Sequence, residues 1–543
     1  MEKILIVIPA RGGSKGIPRK NIRFMAGKPL ISYAIGCAKE CKFDTDIIVS
    51  TDDEEIKYVA TRYGASIVER PSSLAGDSVT LDPVIFHAAN KMEEIKGYKY
   101  DLVITMQPTS PKLSSDTLNK AIDYLLQNNY DTVISGVNDP RLSWRIEDGK
   151  CIPNYEKRLN RQYLPKDLKE TGAFVITRRE FVKETGRFGA NVSLYEVPES
   201  ESGDIDTVQD WCVAEMELNK KTILLRVDGY PQIGMGHIYR GLQIAYGLME
   251  HKIYFVLSEK SEIGIAKIQS SHYPYEVIKD DDEILDLIDR YKADVVINDI
   301  LNTTEEYVQK LKDKGVRVVN FEDLGTGSLA ADATVNALYD GENTDKLFFG
   351  SDYYLIRDEF VIAKPKEFAE KPEEILVLFG GTDPRNLTQK TIKALMTVEG
   401  IENIHITVIL GMGYDKKDEI VDLTKECKNI TIVQDVKLMS DYMSKADIAI
   451  ASQGRTMLEL AAMGVPTILM SQNSREATHE FGGIKNGYLN LGAGNEVDEV
   501  TIGKTVDWLI NCPSIRKNMR EQMLTRDLRH GLTRVKKIIL GRE

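Results

Sequence analysis

Three times in this chain an apolar run rich in Ile, Leu and Val ends in a glycine-bearing loop. The runs are KILIVIPARGGSKG at 3–16, KTILLRVDGYPQIGMG at 221–236 and ILVLFGGTDPRN at 375–386. A strand that turns through glycines into a helix opens a doubly wound α/β sheet. With 543 residues, too many for one ordinary core, the three openings predict three such folding regions.

The segments between them support this. After the first opening come DIIVSTDD, DLVITMQPTS and DTVISGV, separated by amphipathic stretches such as PLISYAIGCAKE and EEIKYVATRYG. That alternation predicts a mostly parallel sheet with helices on both faces. Thr51 and Glu54 have capping-box spacing after the second strand. ADVVIND and VRVVNFED follow the second opening, and ITVILG, ITIVQD, ADIAIAS and PTILMS the third. The charged, Pro-containing AKPKEFAEKPEE at 363–374 reads as a linker. The expected divisions are 1–219, 220–365 and 373–543.

Charge narrows the ligand. The net charge is -13, yet Arg11, Lys15, Arg19 and Lys20 crowd around Gly12, Gly13 and Gly16. An acidic chain lacks the broad basic surface that nucleic acid needs, so no nucleic-acid partner is expected. A local basic loop suits a small anion, because glycines let backbone N–H groups turn toward phosphate. The loop is not a Walker A motif, since GxxxxGK[ST] is absent. No apolar run reaches membrane-spanning length and the N-terminus enters a strand at once, so neither a membrane span nor a signal peptide is expected. Six scattered cysteines fit free thiols in a reducing cytosol, and the expected location is cytoplasmic.

ARGGSKGIPRKN (10–21), RPSSLAGD (70–77), MQPTSP (106–111), RQYLP (161–165), TGAFVIT (171–177) and GDIDT (203–207) occur in that order. Together they resemble the CMP-sialic acid synthetase family, the acylneuraminate cytidylyltransferases, over residues 1–218. The resemblance implies that a nonulosonic acid hydroxyl attacks the α-phosphate of CTP and expels pyrophosphate. Arg11, Ser14, Lys15 and Lys20 would hold the phosphates, with Arg11 and Lys20 stabilising charge on the leaving group. Asn21 and Arg70 would meet the nucleotide, and Gln107 and Arg161 the sugar acid. Asp204 and Asp206 lie two apart, so a strand would project both from one face as a Mg²⁺ site. Lys112-Leu113 stand where the family often has Leu-Arg, and Thr171 where Asn is common. Both places lie toward the sugar, so the acid need not be plain N-acetylneuraminate, and legionaminic, pseudaminic and neuraminic types stay open. A homodimer through the N-terminal domain is a further implication.

The second glycine loop carries a histidine, in RVDGYPQIGMGHIYR at 226–240. A His at a strand-to-helix turn facing a cleft is placed as a general base. This motif resembles the UDP-2,4-diacetamido-2,4,6-trideoxy-sugar hydrolase of pseudaminic acid biosynthesis and the spore-coat-type glycosyltransferases. NFEDLG (320–325), ADATVNA (331–337), FGSDYYLIRDEF (349–360), LFGGTDPRN (378–386) and ASQGRTMLELAAMGVPTILMSQNSREAT (451–478) extend the likeness over about 222–500. It implies an α/β chain whose N-terminal Rossmann-like nucleotidyltransferase domain precedes a two-lobed GT-B-like region. His237 would activate water at the anomeric carbon of a UDP-sugar bound beside Gly236. Gly380, Gly381 and Thr382 would approach the diphosphate, Thr456 and Glu459 phosphate and ribose, and Asn473 and Glu476 the sugar. The strand INDILN (297–302) lacks the Tyr often found after it in the hydrolases. Three readings of this half stay open: UDP-sugar hydrolase, glycosyltransferase and non-catalytic sugar-nucleotide-binding module.

Overall fold

A computed structural model describes residues 2–14, 16–230, 233–434 and 436–541. The chain divides into two compact units, Met1–Lys220 and Lys221–Glu543.

The first unit holds one seven-stranded sheet. Across it the strands run Val192–Glu196, Thr132–Asn138, Leu168–Arg178, Leu102–Met106, Ile4–Pro9, Thr45–Thr51 and Ser66–Glu69. Only Leu168–Arg178 is antiparallel to its neighbours. Ile4–Pro9 is buried along nearly its whole length, which explains its unbroken apolar run. Helices Leu30–Lys39 and Ser115–Asn128 cover one face, where Ile35 and Leu118 meet Ile6 and Ile104. Leu81–Lys96 covers the other through Ile85, Ala88 and Met92. The cap of helix Glu54–Arg62 differs from the spacing-based expectation. Asp53, not Thr51, accepts from the N–H groups of Glu55 and Ile56. The Thr51 hydroxyl instead accepts from the Asp53 N–H, one residue before the helix.

The second unit holds two all-parallel sheets. One orders its strands Tyr275–Ile278, Lys252–Ser258, Thr222–Val227, Val295–Asp299, Arg317–Phe321, Ala333–Asn336 and Leu347–Phe349. The other runs Ile430–Gln434, His405–Leu410, Glu374–Leu378, Ile448–Ser452, Thr467–Ser471 and Tyr488–Ala493. Each anchors a lobe, and 363–372 runs between them without helix or strand. The last helix, Gly531–Leu540, follows the second lobe in sequence but packs with the first. Val535 and Ile539 are fully buried among Ile223, Leu242 and Val335. Arg317 locks it there, donating from Nε to the Ile539 carbonyl at 3.1 Å. Among the described residues no helix is long and apolar enough to cross a membrane.

Candidate active sites

In a doubly wound sheet the crevice opens where the strand order reverses, beyond the strands' carboxyl ends. The first sheet reverses between Ile4–Pro9 and Leu102–Met106. There a crevice of about 390 Å³ is lined by Arg11, Ser14, Lys20, Asn21, Arg70 and Gln107, together with Asp206. Lys15, expected on the phosphates, lies outside the described residues.

Each basic group is held by the segment that faces it. Arg11 sits 2.9 Å from Asp77 and donates to the Gly76 carbonyl at 3.0 Å, joining the glycine loop to the 70–77 segment. Asn21 donates to the Arg11 carbonyl at 3.1 Å. Arg70 is buried and donates to the Ser50 carbonyl at 2.7 Å. Burial lowers its pKa, but a guanidinium remains a cation at neutral pH. Lys20 donates to the Ile205 carbonyl at 2.6 Å and lies 3.7 Å from Asp206. The close approach of these loops explains two glycines. A Cβ on Gly16 would stand 2.6 Å from the Asp206 carbonyl oxygen. Gly172, at φ +71°, would bring one to 3.1 Å from Gln107 Nε2 and 3.3 Å from Asp204 Oδ2.

Asp204 and Asp206 do not lie on a strand as the spacing suggested. They occupy an irregular segment before helix Val208–Leu218, whose capping box is Thr207 with Asp210. Asp204 keeps solvent access, yet protein atoms around its carboxyl push its pKa up, and the charge of Asp206 adds to the shift. Two oxygen-donor carboxylates two residues apart, beside a basic crevice, fit a hard divalent cation. Arg161 is not brought into the crevice. It stands on the 3-10 turn Arg161–Tyr163, two-thirds exposed, 3.5 Å from Asp139. Thr171 is buried and donates to the Ser135 hydroxyl at 2.9 Å, while Lys112 pairs with Glu217.

In the second unit both sheets reverse toward one cleft of about 440 Å³. Gly236, His237, Arg240 and Glu322 line it from one lobe, and Asn473, Glu476 and His479 from the other. Arg455 bridges the lobes, donating to the Gly236 carbonyl at 2.8 Å, as does Arg475, which donates to Tyr339 Oη at 2.7 Å and the Glu322 carbonyl at 2.8 Å.

His237 is the second residue of helix Gly236–Gly247, and Arg240 follows one turn later on the same face. His237 Nδ1 lies 2.6 Å from Asp299 Oδ1. Arg240 donates from Nε to Asp299 Oδ2 at 2.6 Å, from Nη2 to Oδ1, and from Nη1 to Glu322 Oε1 at 3.3 Å. Burial alone would raise the Asp299 pKa, but Arg240 first and His237 second hold it well below the usual carboxylate range. An ionised carboxylate at that distance assigns the proton to Nδ1 and leaves the Nε2 lone pair as the basic atom. Sequence reasoning missed Asp299, Arg240 and Glu322. The readable signal was an Asp closing the apolar run ADVVIND at a sheet reversal.

The nucleotide-side residues are divided. Gly380, at φ +82°, and Gly381 follow strand Glu374–Leu378, and a Cβ on either would meet nothing within 4 Å. These two glycines and Thr382 are exposed. Thr456 starts helix Thr456–Met463. Glu459 lies in that helix with both carboxylate oxygens engaged by Arg357, at 2.8 and 3.0 Å. None of Gly380, Gly381, Thr382, Thr456 and Glu459 lines the cleft.

The first unit is thus a nucleotide-binding α/β domain by its sheet, loop and charged crevice, and the second a two-lobed GT-B-like region. Residues 5–180 match the Cytidylyltransferase family, and 375–480 the Glycosyltransferase family 28 C-terminal domain. An uncharacterised protein of Methanocaldococcus jannaschii is 30% identical over 271 residues, 46% of this chain and 56% of its own. The pseudaminic acid cytidylyltransferase of Campylobacter jejuni is 34% identical over 38% of this chain and 93% of its own. The CMP-N,N'-diacetyllegionaminic acid synthase of Legionella pneumophila is 32% identical over 41% of this chain and 100% of its own. Through its first unit the chain belongs to the cytidylyltransferase family.

Proposed function

We propose that this chain carries two activities of nonulosonic acid metabolism. The first unit activates a sialic-acid-like sugar of legionaminic, pseudaminic or neuraminic type to its CMP form. The observation that carries this is the convergence of Arg11, Ser14, Lys20, Asn21, Arg70 and Gln107 on one crevice, in a domain whose relatives include enzymes named for pseudaminic and legionaminic acids. The sugar hydroxyl forms a bond to the α-phosphorus of CTP as the bond from that phosphorus to the β-phosphate oxygen breaks, pyrophosphate leaves and the hydroxyl proton passes to solvent. Lys20 and Arg11 stabilise the charge that gathers on the leaving group. Asp204 and Asp206 would hold Mg²⁺, which when bound neutralises phosphate charge. Gln107 faces the sugar acid, and Arg161 would reach it only by leaving Asp139. Assaying pyrophosphate release with CTP and each of the three acids tests this reading. Release with none of them would overturn it.

In the second unit, the His237–Asp299 pair supports attack of an O–H nucleophile on the anomeric carbon of a UDP-sugar. Nε2 takes the proton, the new bond forms to the anomeric carbon, and UDP departs. Gly380, Gly381 and Thr382 receive the diphosphate, and Asn473 and Glu476 face the sugar. Glu459 would serve the ribose only after releasing Arg357. With water as nucleophile the unit is a UDP-2,4-diacetamido-2,4,6-trideoxyhexose hydrolase. The family 28 match favours a second reading, in which an alcohol acceptor replaces water. Proton NMR of the UDP-sugar isomers with the full chain and no acceptor separates the two. Loss of the anomeric signal, abolished in His237→Ala, is expected. Turnover only after an acceptor is added would establish transfer, and ligand binding without turnover a binding module.

A further inference from the structure

Two residues lining the cleft around His237 carry buried atoms that make no hydrogen bond of ordinary geometry among the described residues, Glu322 Oε2 and His479 Nε2, although the Leu338 N–H lies near enough to the Glu322 carboxyl to favour its charged form. Glu322 is 4% exposed and His479 5%, so neither is hydrated as a surface group would be. An unsatisfied polar atom at such depth costs about 1–3 kcal/mol and calls for a function. Both are oriented by their other atoms. Glu322 Oε1 accepts from Arg240, which turns Oε2 away from that cation. His479 Nδ1 lies 2.8 Å from the Gln453 carbonyl oxygen, which can only accept, so Nδ1 carries the proton and Nε2 a lone pair. Glu322 also holds a non-glycine residue at φ +51°, backbone strain of the kind that persists where surroundings fix a working side chain.

The two atoms come from opposite lobes and share neighbours. Arg475 donates to the Glu322 carbonyl and to Tyr339, and the Tyr339 ring packs edge-on against His479 at 5.2 Å. Arg240 links Glu322 to Asp299, the partner of His237. Glu322 is thus tied to His237 through Arg240 and Asp299, and to His479 through Arg475 and Tyr339.

We propose that Glu322 and His479 are the specificity-determining contacts for the transferred sugar, each accepting one O–H or N–H donor from a ring that carries at least two. This rests on the reading of the second unit as a UDP-sugar enzyme. A site with two buried acceptors rejects a sugar lacking the matching donors, because the acceptors would then stay unpaired. The substrate class is a hydroxylated or N-acylated pyranose on a nucleoside diphosphate, gripped by both lobes at once.

The test is calorimetric titration of the full chain at pH 8 with UDP and with the UDP-2,4-diacetamido-2,4,6-trideoxyhexose isomers. Two variants keep the local structure. Glu322→Gln preserves the bond to Arg240 but presents an amide donor in place of Oε2. His479→Asn preserves the bond to Gln453 and removes Nε2. Each is expected to weaken the best-binding sugar nucleotide ~10-fold or more while UDP affinity stays within about twofold. Wild-type affinity for the sugar nucleotide in both variants would overturn the proposal and leave the UDP-sugar reading standing. Equal loss of UDP and sugar nucleotide would also overturn it, showing a role in holding the lobes. Failure of the unmodified chain to bind either ligand would overturn the UDP-sugar reading and this proposal with it.

Discussion

Asp299 decides how His237 behaves. Its carboxylate is fully buried, fixed by Arg240, and fixes the His237 tautomer in turn. Asp299→Asn is expected to lower kcat for UDP-sugar cleavage by ~10²–10⁴-fold, since the imidazole loses the partner that orients it and stabilises its protonated form. The same variant should lose ~3–5 kcal/mol of stability in urea melts, because Arg240 is left without its closest countercharge. The sign with pH follows from the depressed pKa. The contribution is complete above the ordinary carboxylate range and is lost as pH falls below it, so the gap between wild type and Asp299→Asn should shrink below about pH 4. A gap that failed to shrink below about pH 4 would contradict the ionised assignment. Cys37 gives a second residue-level expectation. Burial pushes its thiol up to about 12, whereas Cys151 and Cys212 are exposed. A thiol reagent at pH 8 should modify Cys151 and Cys212 in the native chain and Cys37 only on unfolding, because the thiolate is the reacting form.

Among elements, the loop-to-loop contacts of the first unit depend on backbone that only glycine supplies. Gly172→Ala should cost ~1–2 kcal/mol through the left-handed backbone alone. It should also raise KM for the sugar acid, because the added Cβ presses on Gln107 and Asp204. Unchanged stability and KM would show that the loop relaxes freely. The buried strands were legible in the sequence because full burial on both faces writes itself as an apolar run, as in KILIVIPA and ADVVIND. The glycine loops were legible because each must turn from strand to helix. What stayed hidden was set by tertiary contact. Arg161 and Asp139 are far apart in sequence, and nothing local showed that they would pair. Asp204 and Asp206 have strand-like spacing, but the capped helix at Thr207 ends the segment before a strand forms. The amphipathic pattern of Gly531–Leu540 showed a helix face to bury but not that its partner was the earlier lobe. Val535→Ala there should destabilise the second unit by about 1–3 kcal/mol in thermal melts, as the loss of two buried methyl groups does.

At the scale of the whole molecule, three sheet reversals each present a loop cluster, and the chain uses them as two sites. The acidic total matters little to either, because charges beyond about 8–10 Å are screened in physiological salt. On the proposed reading, a basic crevice would serve one triphosphate and a lobe-spanning cleft one sugar nucleotide. On the hydrolase reading the chemistry requires a separate condensation between them: a hexose freed from UDP has six carbons and must gain three more, with a carboxylate, to become a nonulosonic acid. The two sites therefore need no direct passage of one product to the other. Independence of the two sites is the central claim, and one crossed measurement tests it. Pyrophosphate release from CTP and UDP release from the sugar nucleotide would be followed in the full chain, Lys20→Ala and His237→Ala. Lys20→Ala should lose ~10²–10³-fold in the first rate and keep the second, and His237→Ala the reverse. Loss of both rates in either variant would contradict the two-site account.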